Sequence, residues 1–312
     1  ISIGLVGSEM CIRDRCAIAI AVCRDADVPA QPQAVRTLAF QCLQVFFDQH
    51  ASGGALEGRE EELAEGTVLA LEGEKDPRCL LGGLATVQAL ARSLGGCAPG
   101  RTALARVSDE AVDILSCYFP VVFTPPPAGA PAGLTREAIV EALEGALSCC
   151  LEFAPYAVDL AAQKSASPNH RTQRECLQLL RQLLKKFGPA AALAPVPTAS
   201  GEIGGMLGSG DDREAAARLW AVLGPLFGAV SAAEIGEEER KERQLVAAAA
   251  ADTLSLFLHH CCGVGAPESA LGAELEKMAW DDAHVESSLD FLRGGSNGCL
   301  LYTSPSPRDR SI

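Results

Sequence analysis

Aromatic side chains are scarce in this chain: Phe, Tyr and Trp make up 5% of it, with two tryptophans and three tyrosines. A core with so few rings must be lined mainly by Leu, Ala and Val, the small contacts of packed helices. Catalytic and nucleotide-binding signatures are missing as well. There is no G-x-S-x-G, no H-E-x-x-H and no glycine fingerprint following a strand. The glycine-rich stretch 201–210 lacks the Gly-Lys-Ser/Thr that grips phosphates and reads as a linker. No C-x-x-C occurs, so no local pair of thiolates is placed to converge on one metal ion. No apolar run reaches the ~18 residues of a membrane-spanning helix. Positive charge is also short, with 26 Lys+Arg against 40 Asp+Glu, a net charge of −14. A surface that acidic repels phosphate backbones and argues against direct nucleic-acid binding. The expectation is a protein that is not an enzyme, carries no cofactor or metal, and meets other proteins rather than membranes.

Helical periodicity is what the chain does have. Asp76-Pro77 is a helix start, because Asp accepts orphan backbone N–H bonds and proline is tolerated in the first turn. From it, Leu80, Leu84, Val87, Ala91 and Leu94 recur at steps of three and four up to Gly95-Gly96. A second stripe runs Leu104, Val107, Ala111, Leu115, Tyr118 and ends at Pro120. Thr135 is expected to cap a third helix with Ile139, Leu143, Ala146, Leu147 and Cys150 on its face. A short helix is expected over 154–164. Ser167-Pro168 should open an amphipathic helix with Cys176, Leu179, Leu180, Leu183, Leu184 and Phe187 inward. Its outward face would be Arg174, Gln178, Arg181 and Lys185, and Gly188-Pro189 its stop. Further helices are expected over 211–230, with a kink at Pro225, over 237–261 and over 268–280. Residues 25–33 and 190–210 read as loops. Alternating strand pattern is absent.

Helices joined by short loops leave two packings open, a closed bundle or a stacked solenoid. Paired starts roughly forty residues apart suit HEAT-type repeats, although no crisp internal repeat is visible.

Candidate chemistry is thin. Cys149-Cys150 would sit side by side on a helix with diverging side chains. His259-His260-Cys261-Cys262 offers a single i, i+3 pair and no third ligand. Asp211-Asp212 and Asp281-Asp282 lie where carboxylates offset a helix dipole. The run Glu237–Arg243 alternates in sign and reads as a solvated face. The segment Ser116–Pro127 stands apart: its prolines at 120, 125, 126 and 127 forbid helix and favour extended geometry. Tyr118, Phe119, Phe123, Pro125, Pro126 and Pro127 are therefore the candidate site, either a plug between repeats or a ridge that contacts a partner.

Four blocks in one order carry a family resemblance: Arg59-Glu60-Glu61-Glu62-Leu63, Gly73-Glu74-Lys75-Asp76-Pro77-Arg78, Cys117–Phe123 running into Thr124-Pro125-Pro126-Pro127, and Thr135-Arg136-Glu137. Together they resemble the N-terminal half of the MMS19-type family, the helical-repeat adaptor of the cytosolic iron–sulfur targeting complex, also linked to nucleotide-excision repair and TFIIH. The likeness fades before Gly53 and after Phe187, and the pattern is abbreviated between Glu62 and Glu72. The resemblance implies an all-α HEAT/armadillo-like solenoid of stacked antiparallel helix pairs. It implies a scaffold that presents apoprotein clients, including DNA repair and replication enzymes, to iron–sulfur assembly. Its partners would be the targeting subunits, iron–sulfur client enzymes and TFIIH, in cytoplasm and nucleus. The alternative is another HEAT-type scaffold, such as a transport receptor or a phosphatase scaffold.

The two ends resemble one another at the level of DNA. Leu5–Arg15 can be encoded by a stretch whose reverse complement, in another frame, reads Cys-Leu-Leu-Tyr-Thr-Ser-Pro-Ser-Pro-Arg, which is Cys299–Arg308. This resembles a sequencing adapter present in both orientations. It implies that residues 1–15 and 299–312 are not native and that 16–298 is a HEAT-repeat fragment of a larger solenoid. Eleven of the thirteen cysteines lie in that inner stretch, an odd number with no regular framework, which reads as reduced thiols.

Overall fold

The computed structural model describes residues 3–50, 56, 58–96, 98–123, 134–188, 191, 223, 226 and 237–262. Among these, every regular element is helical. In chain order they are α1 (Ile3–Arg24), α2 (Gln33–His50), α3 (Glu60–Leu69), α4 (Pro77–Leu94), α5 (Ala98–Ser116), α6 (Arg136–Leu147), α7 (Ala154–Ser165), α8 (His170–Phe187) and α9 (Glu237–Cys262). Short 3-10 turns cover Val28–Ala30 and Leu151–Phe153.

The helices form two rows. Odd-numbered α1, α3, α5 and α7 pack in sequence on one side, and even-numbered α2, α4, α6 and α8 on the other. Each odd helix also touches the even helix that follows it, so the stack consists of four helix pairs with α9 laid against α8. This is the α-solenoid arrangement. Its repeat can be read from bonds that cross between neighbouring pairs. Cys23 meets Thr67, and Arg92 meets Asp48, both 44 positions apart. The Thr86 hydroxyl donates to the Phe40 carbonyl 46 positions away.

Local chemistry explains the helix ends. Asp76 caps α4 by accepting from the Arg78 amide, with Pro77 in the first turn. Thr135 caps α6 by accepting from the Ala138 amide. Leu80, Leu84, Val87, Ala91 and Leu94 of α4 are buried, as are Leu104, Val107, Ala111 and Leu115 of α5. Gly188 ends α8 at φ 59°, a left-handed angle that glycine adopts without a steric penalty. Gly66 on α3 is a close-approach point, because a Cβ there would collide with the Cys23 side chain of α1.

Three expectations are corrected. Helix α8 starts at His170 and not at Ser167-Pro168. Asn169 is the cap, accepting from the Arg171 and Thr172 amides, while the Ser167 hydroxyl accepts from the Asn169 amide. The outward face of α8 is half covered, because α9 lies along it and pairs Glu242 with Arg174 and Asp252 with Arg181. Helix α6 closes at Leu147, so Cys149 and Cys150 sit in the turn beyond it and not side by side on a helix. The glutamate-rich start of α9 forms Glu237–Lys241 and Glu239–Arg243 pairs one turn apart. The helices expected over 211–230 and 268–280, the loop 190–210 and both aspartate pairs fall outside the described residues, apart from buried Ala191, Leu223 and Leu226. Among the described residues no helix is long and apolar enough to cross a membrane.

Candidate functional site

The turn between α3 and α4 is built around one buried carboxylate. Glu74, whose side chain is 2% exposed, takes a bidentate pair from Arg36 on α2, with Nε donating to Oε2 at 2.7 Å and Nη2 to Oε1 at 2.9 Å. Oε1 also accepts from the Lys75 and Asp76 amides, both at 2.8 Å. The third guanidinium nitrogen of Arg36 donates to the Gln31 carbonyl at 2.7 Å. Such planar, two-pronged recognition suits arginine and no other cation. Gly73 precedes it at φ 67°, a conformation open to glycine. Two residues on, the Arg78 side chain folds over Asp76 and holds its carboxyl down to about 2, the ion pair stabilising the charged form.

The CYFP segment lands on the same turn. The Tyr118 phenol donates to the Leu71 carbonyl at 2.9 Å. Burial pushes that phenol up to about 12, so it stays a donor at any physiological pH. Phe119 is buried at 3% exposure, Val121 is buried and Phe123 half-buried against the core, whereas Val122 projects 94% into solvent. The Phe119–Pro120 peptide is cis. On the far side Arg136, the residue after the Thr135 cap, donates from Nε to the Val121 carbonyl at 3.0 Å and pairs with Glu175 of α8. The segment 118–123 is therefore pinned by Tyr118 to the second helix pair and by Val121 to Arg136 of the third, whose guanidinium in turn reaches Glu175 of the fourth. Phe119 and Phe123 turn toward the core, and Val122 is presented outward. Pro125, Pro126 and Pro127 fall outside the described residues.

The residues of the four blocks thus do mechanical work. Arg59 reaches Glu62 at the start of α3, and Glu61 pairs with Arg106 of α5. Among the described residues no three His, Cys, Asp or Glu side chains converge as metal ligands. Helix α9 runs through His259–Cys262, whose side chains lie outside the described set. Cys42 and Cys117 are exposed, whereas Cys79, Cys150 and Cys176 are buried. The roles of Arg36 and Arg136 were missed in the sequence because a single arginine on a helix carries no local signal of a partner 38 or 39 positions away.

Known proteins are similar to the stretch of chain that holds the blocks. The family described as Dos2-interacting transcription regulator of RNA-Pol-II, MMS19_N, matches residues 8–199. The MMS19 nucleotide excision repair protein homolog of Xenopus laevis is 33% identical over 137 residues, covering 42% of this chain and 13% of that protein. The Homo sapiens homolog is 27% identical over 196 residues, covering 59% of this chain and 17% of its own length. The Arabidopsis thaliana homolog is 29% identical over 173 residues, covering 55% of this chain and 15% of its own length. The chain spans less than a fifth of the length of these relatives.

Proposed function

The chain belongs to the MMS19 N-terminal family, and from that premise we propose that it is part of a non-catalytic, DNA-repair-linked scaffold. In this reading the stack presents apoprotein clients, among them DNA repair and replication enzymes, to the cytosolic iron–sulfur assembly machinery. Its partners are the targeting subunits of that machinery, the client enzymes and TFIIH, in cytoplasm and nucleus. The observation that carries the reading is the use of the family blocks. Their polar and aromatic side chains clamp neighbouring helix pairs together, as a stacked scaffold requires. A preorganised stack lowers the entropic cost of bringing carrier and client together, and many weak contacts spread along it add through effective concentration. The test is client maturation. Depleting the full-length protein from cells should lower the iron content of purified repair helicases and polymerases, and re-expression should restore it. Unchanged iron content on depletion would contradict the proposal.

A further inference from the structure

The joint between α6 and α8 differs from that between α2 and α4 in burying a carboxylate. Helix α2 meets α4 around Phe40, which lies against Gly82 and Gly83. Helix α6 meets α8 through long polar side chains. Glu144 is fully buried there. Its Oε2 accepts from Gln178 and from Gln182, both at 2.8 Å, while its Oε1 is buried with no partner. One turn on, the Ser148 hydroxyl donates to the Glu144 carbonyl at 2.7 Å, and the Lys186 ammonium donates to the Ser148 carbonyl at 2.8 Å. A carboxylate buried with no cation beside it is strained when charged, because nothing offsets its lost hydration beyond two neutral amides on one oxygen.

We propose that this seam is a proton-sensitive hinge of the stack: with Glu144 neutral, α6 and α8 stay closed, and its ionisation drives them apart to admit water. The surrounding charges favour this behaviour. From α8 comes Glu175, whose Oε2 is likewise buried without a partner and whose other oxygen faces Arg136 and Arg171. From α6 itself comes exposed Glu141. Lys186 of α8 is taken up by Ser148. From α4, neutral Gln88 bonds the Ala142 carbonyl, and neither α4 nor α5 brings a charge that acts on Glu144. Burial, opposed by the Gln178 bond and reinforced by Glu175 and Glu141, pushes Glu144 up to about 7 from an ordinary 4.5. The folded pKa of this acid is raised, so the closed seam binds the extra proton. Its stabilisation is complete at low pH and is lost as pH rises from 4.5 toward 7. Because the seam lies between the third and fourth helix pairs, opening it re-aims α7, α8 and α9 relative to everything before them.

The experiment is amide hydrogen exchange on the full chain at pH 6 and pH 8, corrected for intrinsic rates, with α4 as internal reference. Wild-type protection over 139–147 and 176–184 should fall about tenfold relative to α4 between those pH values. Glu144→Gln keeps the shape and an acceptor for both glutamines, and its protection should change less than about twofold. Equal pH slopes in wild type and variant, or no slope in wild type, would overturn the hinge. Should the variant fail to fold, infrared spectroscopy of the wild type decides. A buried protonated carboxyl band present at pH 6 and gone by pH 8 supports the hinge, and its absence at pH 6 overturns it.

Discussion

The Tyr118 phenol donates to the carbonyl of Leu71, a residue 47 positions earlier in the turn after α3. The Leu71 carbonyl also accepts from the Glu74 amide at 3.2 Å, so removing the phenol does not orphan it. Tyr118→Phe should therefore cost about 1 kcal/mol, the net worth of one hydrogen bond, in a denaturant titration. A loss above about 3 kcal/mol would mean that the ring itself has moved. The same bond makes a pH prediction. A phenol raised to about 12 from 10 in the folded chain stabilises below pH 10, and that stabilisation is lost as pH climbs from 10 to 12.

Glu74 should be less forgiving. Glu74→Ala strips Arg36 of its bidentate partner and leaves the Lys75 and Asp76 amides without their acceptor. Breaking a buried ion pair from one side costs about 3–5 kcal/mol. Adding Arg36→Met on top of Glu74→Ala should recover part of that loss, because no charge is then left stranded. A double-mutant cycle in urea measures both, and strict additivity would deny the coupling.

Phe119→Ala should cost about 3–5 kcal/mol, since the ring is buried. Val122→Ser, at a side chain that is 94% exposed, should stay within about 0.5 kcal/mol of wild type. Adding Phe123→Ala to Phe119→Ala should expose the following helices to proteolysis, because each repeat is held by its neighbours. If Phe119→Ala melts like wild type while Val122→Ser does not, the assignment of inward and outward faces is reversed.

Thiol reactivity should follow burial. Under native conditions a maleimide should modify exposed Cys42 and Cys117 first. Cys176, buried and pushed up to about 12, should react only after unfolding, and so should Cys150. Rapid native labelling of Cys176, read by mass spectrometry, would contradict the packing of α8.

Much of the helical layout was legible because it is local. Asp76-Pro77 and Thr135 announce their helices through capping chemistry within three residues, and the stripes of α4, α5 and α8 follow from periodicity. At Ser167-Pro168 three successive residues suit a helix start, and the geometry of Asn169 decides among them. The seam was not legible, since Glu144 on a helix reads as a surface residue until Gln178 and Gln182 arrive from 34 and 38 positions away. The repeat was legible only as paired helix starts roughly forty residues apart. Crossing bonds span 44 positions between early pairs, 54 from Gln88 to Ala142, and 34 to 39 between α6 and α8, so no single period emerges. The candidate segment was found by its prolines and rings, but which rings face inward depends on Leu71 and Arg136, outside the segment.

Affinity purification of the full-length protein, with quantification of what accompanies it, tests the scaffold reading most directly. The targeting subunits and iron–sulfur client enzymes should co-purify with it, and Val122→Ser should leave the stack intact while any loss of a partner maps to that exposed side chain. A full-length protein that purifies without either class of partner would contradict the account.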